Sequence, residues 1–211
     1  MTKIKASNVN NLTDARYFAA RGVEWLGIPL GEGTERAVSP AVAKAFIEWV
    51  DGVKIVGEFD FAGAAEILEL HGLLHFDAVQ VGMFADPEAL RMLNGLTIIK
   101  EVVPEKSTSL ADLQDHLRTY AACCDIFLLN FGKNGIRWDD LKKGMPFSMD
   151  ALRSLCEAYP VILSLDFTPH NLHGILQQIN PLGLEMMGGD EETTGFKSFD
   201  ELDLLLDLLE G

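Results

Sequence analysis

Short runs rich in β-branched and other apolar residues recur along the chain, each separated from the next by a longer stretch in which apolar positions return every three to four residues. The short runs fall at Lys3–Ala6, Glu24–Ile28, Val53–Glu58, Asp77–Gln80, Leu96–Val102, Asp125–Leu129, Pro160–Leu165 and Gly183–Met187, and they predict eight strands. Helix starts are punctuated between them. Ser39-Pro40, Asp86-Pro87 and Thr168-Pro169 each set a capping residue before a proline at the first helical position, and Ser198 to Glu201 has capping-box spacing ahead of a closing helix over Ser198–Glu210. One helix is expected after each strand. Eight such units in 211 residues fit a compact (β/α)8 barrel, one domain over residues 1–211, with a doubly wound open sheet as the other architecture that shares this alternation.

In a barrel, chemistry sits at the C-terminal ends of the strands and in the loops that follow. The positions to read are therefore Ser7, Pro29 to Arg36, Glu58, Gln80 to Phe84, Glu101, Asn130 to Trp138, Asp166 to His170 and Met187 to Gly195. Because side chains alternate along a strand, Lys5 and Ser7 point the same way, into the barrel. A lysine buried there needs a partner, and Glu58 and Glu101 are the candidates. His170, beside the Thr168-Pro169 helix start, is the histidine at this face with the chemistry of a base near neutral pH. Trp25 and Trp49 are expected to pack in the core or between barrel and helices, and Trp138 to lie over the mouth. Lys133 and Arg137, on a loop with glycines at 132 and 135, are candidate anion contacts.

Charge narrows the partners. Seventeen Lys and Arg against thirty-two Asp and Glu leave −15, which opposes nucleic acid and anionic membranes, since both need a cationic face. The N-terminus has too few apolar residues for a signal peptide and no run of about 18 apolar residues occurs, so a cytoplasmic protein is expected. Cys123, Cys124 and Cys156 have no metal-ligand spacing and read as core thiols; the five histidines lack an acid partner at zinc-protease spacing. No metal is expected from this spacing. The polar helix faces suit a monomer or a weak homodimer with a small-molecule ligand.

An ordered set of short segments resembles phosphoribosylanthranilate isomerase. It comprises Lys3-Ile4-Lys5, Asn11-Leu12-Thr13-Asp14-Ala15, Gly22-Val23-Glu24-Trp25-Leu26-Gly27, Arg36-Ala37-Val38-Ser39-Pro40, Val56-Gly57, Asp77-Ala78-Val79-Gln80, Asp86-Pro87-Glu88 and Ile98-Ile99-Lys100. Asp125 to Leu129, Pro160 to Leu163, Pro169-His170-Asn171 and Gly195-Phe196-Lys197 continue it across essentially the whole chain. The resemblance implies a barrel that carries out an Amadori rearrangement in tryptophan biosynthesis without a cofactor. In that reaction a general acid opens the ribose ring and a general base removes the C2 proton. It also implies a base at the end of the first strand and an acid at the end of the sixth, a cysteine and an aspartate in the family.

Here those positions are Ser7 and Asn130. A hydroxyl without a paired base is a far weaker proton acceptor than a thiolate, and an amide does not act as an acid. The resemblance further implies a phosphate held by glycine-rich turns after strands 7 and 8. Gly188 and Gly189 keep part of this, whereas Asp166 sets a carboxylate in the strand-7 turn. Beside a phosphate, such a charge costs about 3 kcal/mol per charge pair at about 5 Å. Arg36 keeps a residue able to clamp a carboxylate, Gln80 ends the strand-4 segment of the resemblance, and Glu185 replaces an aspartate. Lys5, Arg36, Gln80, Asp166, Glu185, Gly188 and Gly189 are thus the candidate substrate contacts. Three readings remain open: an isomerase working slowly, a paralogue that turned the barrel to another small ligand, and a non-catalytic binding or regulatory barrel.

Overall fold

The computed structural model describes residues 2–188 and 199–210. Eight parallel strands pair in chain order and the last closes on the first. They are β1 (Lys3–Ser7), β2 (Trp25–Pro29), β3 (Lys54–Phe59), β4 (Ala78–Val81), β5 (Thr97–Val102), β6 (Ile126–Asn130), β7 (Val161–Ser164) and β8 (Gly183–Met187). The closing register runs from Lys3 opposite Gly183 to Ser7 opposite Met187. This closure decides for the (β/α)8 barrel over the open sheet.

Around it the described helices are α1 (Leu12–Ala20), α2 (Pro40–Ile47), α3 (Ala64–Leu74), α4 (Pro87–Leu90), α5 (Leu110–Tyr120), α6 (Trp138–Lys142), α7 (Met149–Ala158), α8 (Leu172–Ile179) and α9 (Asp200–Glu210). The expected caps at Ser39 and Asp86 form, with Ser39 Oγ accepting from Val42 N and Asp86 Oδ1 from Glu88 N. At Thr168-Pro169 the expected cap also forms: Thr168 N donates to Asn171 Oδ1 and Asn171 N to Thr168 Oγ1, the reciprocal bonds of a capping box, and Leu172 N donates to Thr168 O, so this turn leads into α8, whose regular helix runs from Leu172. The crossover from β6 to β7 carries two helices where one was expected, because α6 is inserted ahead of α7. The capping box at Ser198 lies outside the described residues.

Two apolar layers hold the barrel. Between sheet and helices pack residues such as Phe18, Leu26, Ile67, Val79, Leu117, Leu129, Leu163 and Ile175, all at or near zero exposure. Burying each such side chain stabilises by about 1.5–3 kcal/mol. Inside the barrel, Trp25, Val56, Ala78, Ile99, Ile126, Leu128 and Ile162 fill the lower half. Trp25 therefore packs as expected, but Trp49 is 68% exposed, since it follows the end of α2 and points away from the sheet. Trp138 is buried at the start of α6 rather than lying over the mouth. Above the apolar plug the inward-facing residues turn polar, and that change of character positions the site.

Candidate active site at the barrel mouth

Continuing the inward alternation past the plug brings Lys5 and Ser7 from β1, Glu58 from β3, Gln80 from β4, Glu101 from β5, Asn130 from β6, Ser164 from β7 and Glu185 from β8 to one end of the barrel. All but Gln80 are buried. Polar groups buried this densely must satisfy one another.

They do so in two clusters. In the first, Lys5 Nζ lies 2.5 Å from Glu58 Oε1 and 3.7 Å from Glu185 Oε1, and it also donates to Ser7 Oγ. Ser7 Oγ in turn donates to Glu185 Oε1 at 2.5 Å, and the second Glu58 oxygen accepts from Asn8 N at 2.9 Å. Room for the Glu58 carboxylate comes from β2: a Cβ at Gly27 would stand 2.5 Å from Glu58 Cδ and collide with Oε1. Asn8 has a left-handed backbone, φ 55°, which an asparagine tolerates better than other residues with a Cβ.

The second cluster is centred on Glu101. Its Oε1 accepts from Asn130 Nδ2 at 2.9 Å and its Oε2 from Lys133 Nζ at 2.7 Å, with Asp60 4.0 Å from the same ammonium. Asn130 Oδ1 also accepts from Lys133 N, which ties the short helical turn Gly132–Asn134 to the strand. Burial works against the Lys133 ammonium, but the hydrogen bond and field of Glu101, then Asp60 and Glu185, outweigh it and hold its pKa above the usual lysine value. The influence of Glu185 on Lys133 puts both clusters on one mouth.

Lys5 thus takes Glu58 and Glu185 as partners, while Glu101, the other expected partner, is taken by Lys133. Lys133 contacts carboxylates and not an exposed anion site. Asp166 is exposed, and its Oδ1 accepts from Trp138 N at 2.7 Å, which satisfies the N-terminus of α6. His170 is exposed in the reciprocal turn and joins neither cluster. Gln80 is half-buried, and its Oε1 is buried without a hydrogen-bond partner among the described residues. Arg36 lies on the loop after β2 with φ 59°. Gly188 follows β8, and Gly189 lies outside the described residues, as do Asp190, Glu191 and Glu192.

Sequence reasoning passed over Lys100, which is fully buried on the helix-facing side of β5. Its Nζ donates to Gly82 O at 2.6 Å and lies 4.8 Å from the centre of the Tyr120 ring. Burial lowers its pKa to about 8. Strand alternation was the available signal, since an outward position on a barrel strand is a covered one.

A cavity of about 290 Å³ opens beside the second cluster, lined by Asp60, Phe61, Met83, Phe84, Glu101 and Lys133 among others. A larger one, about 650 Å³, lies at the opposite end near Leu96, Cys123 and Cys124, away from the strand C-termini where this fold places its chemistry. The thiols there cannot reach the mouth. Among the described residues no three His, Cys, Asp or Glu side chains form a metal-holding group, and no helix is long and apolar enough to cross a membrane.

Comparison with known proteins agrees with this architecture. The family model described as N-(5'phosphoribosyl)anthranilate (PRA) isomerase matches residues 4–207. Curated N-(5'-phosphoribosyl)anthranilate isomerases of Rubrobacter xylanophilus and Geobacter metallireducens are 25% and 27% identical, the first over 94% and the second over 93% of both chains. Among solved structures, the isomerase of Thermus thermophilus is 25% identical with a TM-score of 0.76, covering 99% of this chain and 98% of its own. A phosphoribosylanthranilate isomerase in complex with reduced 1-(o-carboxyphenylamino)-1-deoxyribulose 5-phosphate superposes with a TM-score of 0.79 over 100% of both chains, at 20% identity. Closed barrel, ordered motifs and full-length matches together place this chain in the N-(5'-phosphoribosyl)anthranilate isomerase family of tryptophan biosynthesis.

Proposed function

We propose that this barrel keeps its mouth as a small-molecule site while the family's rearrangement is slowed severely or lost. The observation that carries this is the state of the two positions the resemblance assigns to base and acid. Ser7 donates a hydrogen bond to Glu185 and accepts one from Lys5; Asn130 donates its amide hydrogen bond to Glu101. Neither is a titrating group poised for substrate. Losing a general acid and a general base costs about 10²–10⁴-fold each.

The electrostatics point the same way. Lys5 and Lys133 stand against Glu58, Asp60, Glu101 and Glu185, a net charge of −2 over the two clusters before a ligand enters. A substrate bearing phosphate and carboxylate is opposed by this field, at about 3 kcal/mol per like pair at about 5 Å. Asp166 is committed to α6 and donates nothing to a phosphate. What supports a retained ligand is the open acceptor at Gln80 Oε1 and the strained left-handed backbone at Arg36, a feature that clusters at functional sites. The ligand is a small molecule that needs no metal or organic cofactor, bound in the cytoplasm by a monomer or weak homodimer. Ser7, Asn130, Lys5, Arg36, Gln80, Asp166, Glu185, Gly188 and Gly189 are the residues to vary.

Complementation tests the reading. The natural chain should not rescue a tryptophan auxotroph that lacks this isomerase, and the double variant Ser7→Cys/Asn130→Asp should rescue it better. Full rescue by the natural chain would overturn the proposal.

A further inference from the structure

The loops after β3 and β4 carry apolar side chains out into solvent. Phe61 is 67% and Phe84 72% exposed, and Met83 lies beside them at 39%. Single exposed apolar residues are ordinary, but two aromatic rings placed together at the active end of a barrel are not. Their ring centres are 6.2 Å apart and their planes 13° from parallel.

The backbone beneath them is fixed. Gly82 N donates to Phe59 O at 2.8 Å, and Ala85 N donates to Gly82 O at 3.2 Å, which closes the turn that bears Met83 and Phe84. A Cβ at Gly82 would collide with the Asp60 backbone, so the two loops meet main chain to main chain. From below, buried Lys100 holds Gly82 O and Tyr120 Oη donates to Ala85 O at 2.8 Å. Phe61 rests against Gly33 of the neighbouring loop. The backbone that bears the two rings is therefore set before any ligand arrives, which lowers the ordering cost of binding.

Beneath the rings the 290 Å³ cavity has a charged floor. Asp60 and Glu101 supply two carboxylates against one ammonium, Lys133, which is already engaged with both. The floor is thus net negative, and the faces of phenylalanine rings also attract cations. We infer that this cavity is a subsite for a flat aromatic ligand carrying an amine or amidine cation, the ring lying against Phe61 and Phe84 and the cation directed at Asp60 and Glu101. This charge preference is the reverse of that of a carboxylated aromatic ring. The inference rests on the reading of the mouth as a small-molecule site that no longer runs the family's reaction.

Benzamidine and benzoate, planar rings of opposite charge, are the probes. Binding is followed by NMR titration of the methionine methyl groups, with Met83 as the local reporter. Benzamidine should shift Met83 saturably and bind at least about tenfold more tightly than benzoate. Phe84→Ala, at an exposed position that does not endanger folding, should weaken benzamidine at least about tenfold, and Glu101→Gln should narrow the gap between the two probes. Equal binding of benzoate, no saturable shift at Met83, or benzamidine binding untouched by Phe84→Ala would each overturn the inference. Phosphoribosylanthranilate turnover on the same sample separates the two levels. Turnover at an ordinary enzymatic rate ends the reading of the mouth, whereas absence of both turnover and benzamidine binding ends only the ring subsite.

Discussion

Replacing Gly27 by alanine tests the first ion cluster at its tightest point. The added methyl would occupy the space of the Glu58 carboxylate, 2.5 Å from its Cδ and 3.1 Å from Ala6 O. The neighbour that must move is no flexible surface tip, because Glu58 is fixed by Lys5 at 2.5 Å and by Asn8 N at 2.9 Å. Moving it leaves a fully buried ammonium with Glu185 at 3.7 Å as its remaining carboxylate. Breaking a buried pair in this way costs about 3–5 kcal/mol. In urea denaturation the Gly27→Ala midpoint should fall by an amount that yields this loss, with the slope unchanged.

The double-mutant cycle with Glu58→Ala isolates the cause, since truncating Glu58 empties the space the methyl needs. In that background Gly27→Ala should cost under about 1 kcal/mol, leaving a coupling energy of at least about 2 kcal/mol. Equal costs in both backgrounds would refute the reasoning, because the strain would then lie against the β1 main chain and not in the carboxylate network.

The remaining expectations concern pH, packing and thiols. Lys100 has a folded pKa of about 8 against 10.5 when unconstrained, so between those values the unfolded chain holds more protons and stability rises with pH; below about pH 8 its contribution is flat. Relative to Lys100→Met, the natural chain should gain about 2 kcal/mol between pH 8 and about 9.5 in urea titrations, and a constant difference would contradict the burial argument. Trp138→Ala should destabilise by about 3–5 kcal/mol and Trp49→Ala by less than about 0.5 kcal/mol, because the first is buried and the second exposed. Burial pushes the Cys156 thiol up to about 12, and burial beside Cys123 raises that of Cys124, so both should resist a disulfide reagent at pH 8 until urea is added.

The alternation of short apolar runs with amphipathic stretches was enough to read all eight strands, since that pattern is local and each strand's own period reports it, and their number favoured a barrel that the β8–β1 closure then decided. Partner choice inside the barrel was not legible in the same way. Lys5 sits opposite Glu185 only because β8 closes on β1, a register no single segment encodes. The Thr168-Pro169 start was legible as a cap, but not that the regular helix begins only at Leu172, after the capping turn that Thr168 and Asn171 close. The five residues of α6 are too few for a period to show, although Asp139 and Asp140 in its first turn were a signal. Pairing of Phe61 with Phe84 depends on two loops meeting across the Gly82–Asp60 contact, again a tertiary fact.

Steady-state turnover of phosphoribosylanthranilate by the natural chain tests the central claim most directly. With Ser7 and Asn130 both engaged by glutamates, a loss of about 10⁴–10⁸-fold is expected from the absent base and acid together, which brings a mid-range kcat/KM of about 10⁶ M⁻¹s⁻¹ to about 10² M⁻¹s⁻¹ or below. A value in the ordinary enzymatic range of about 10⁴–10⁸ M⁻¹s⁻¹ would contradict it.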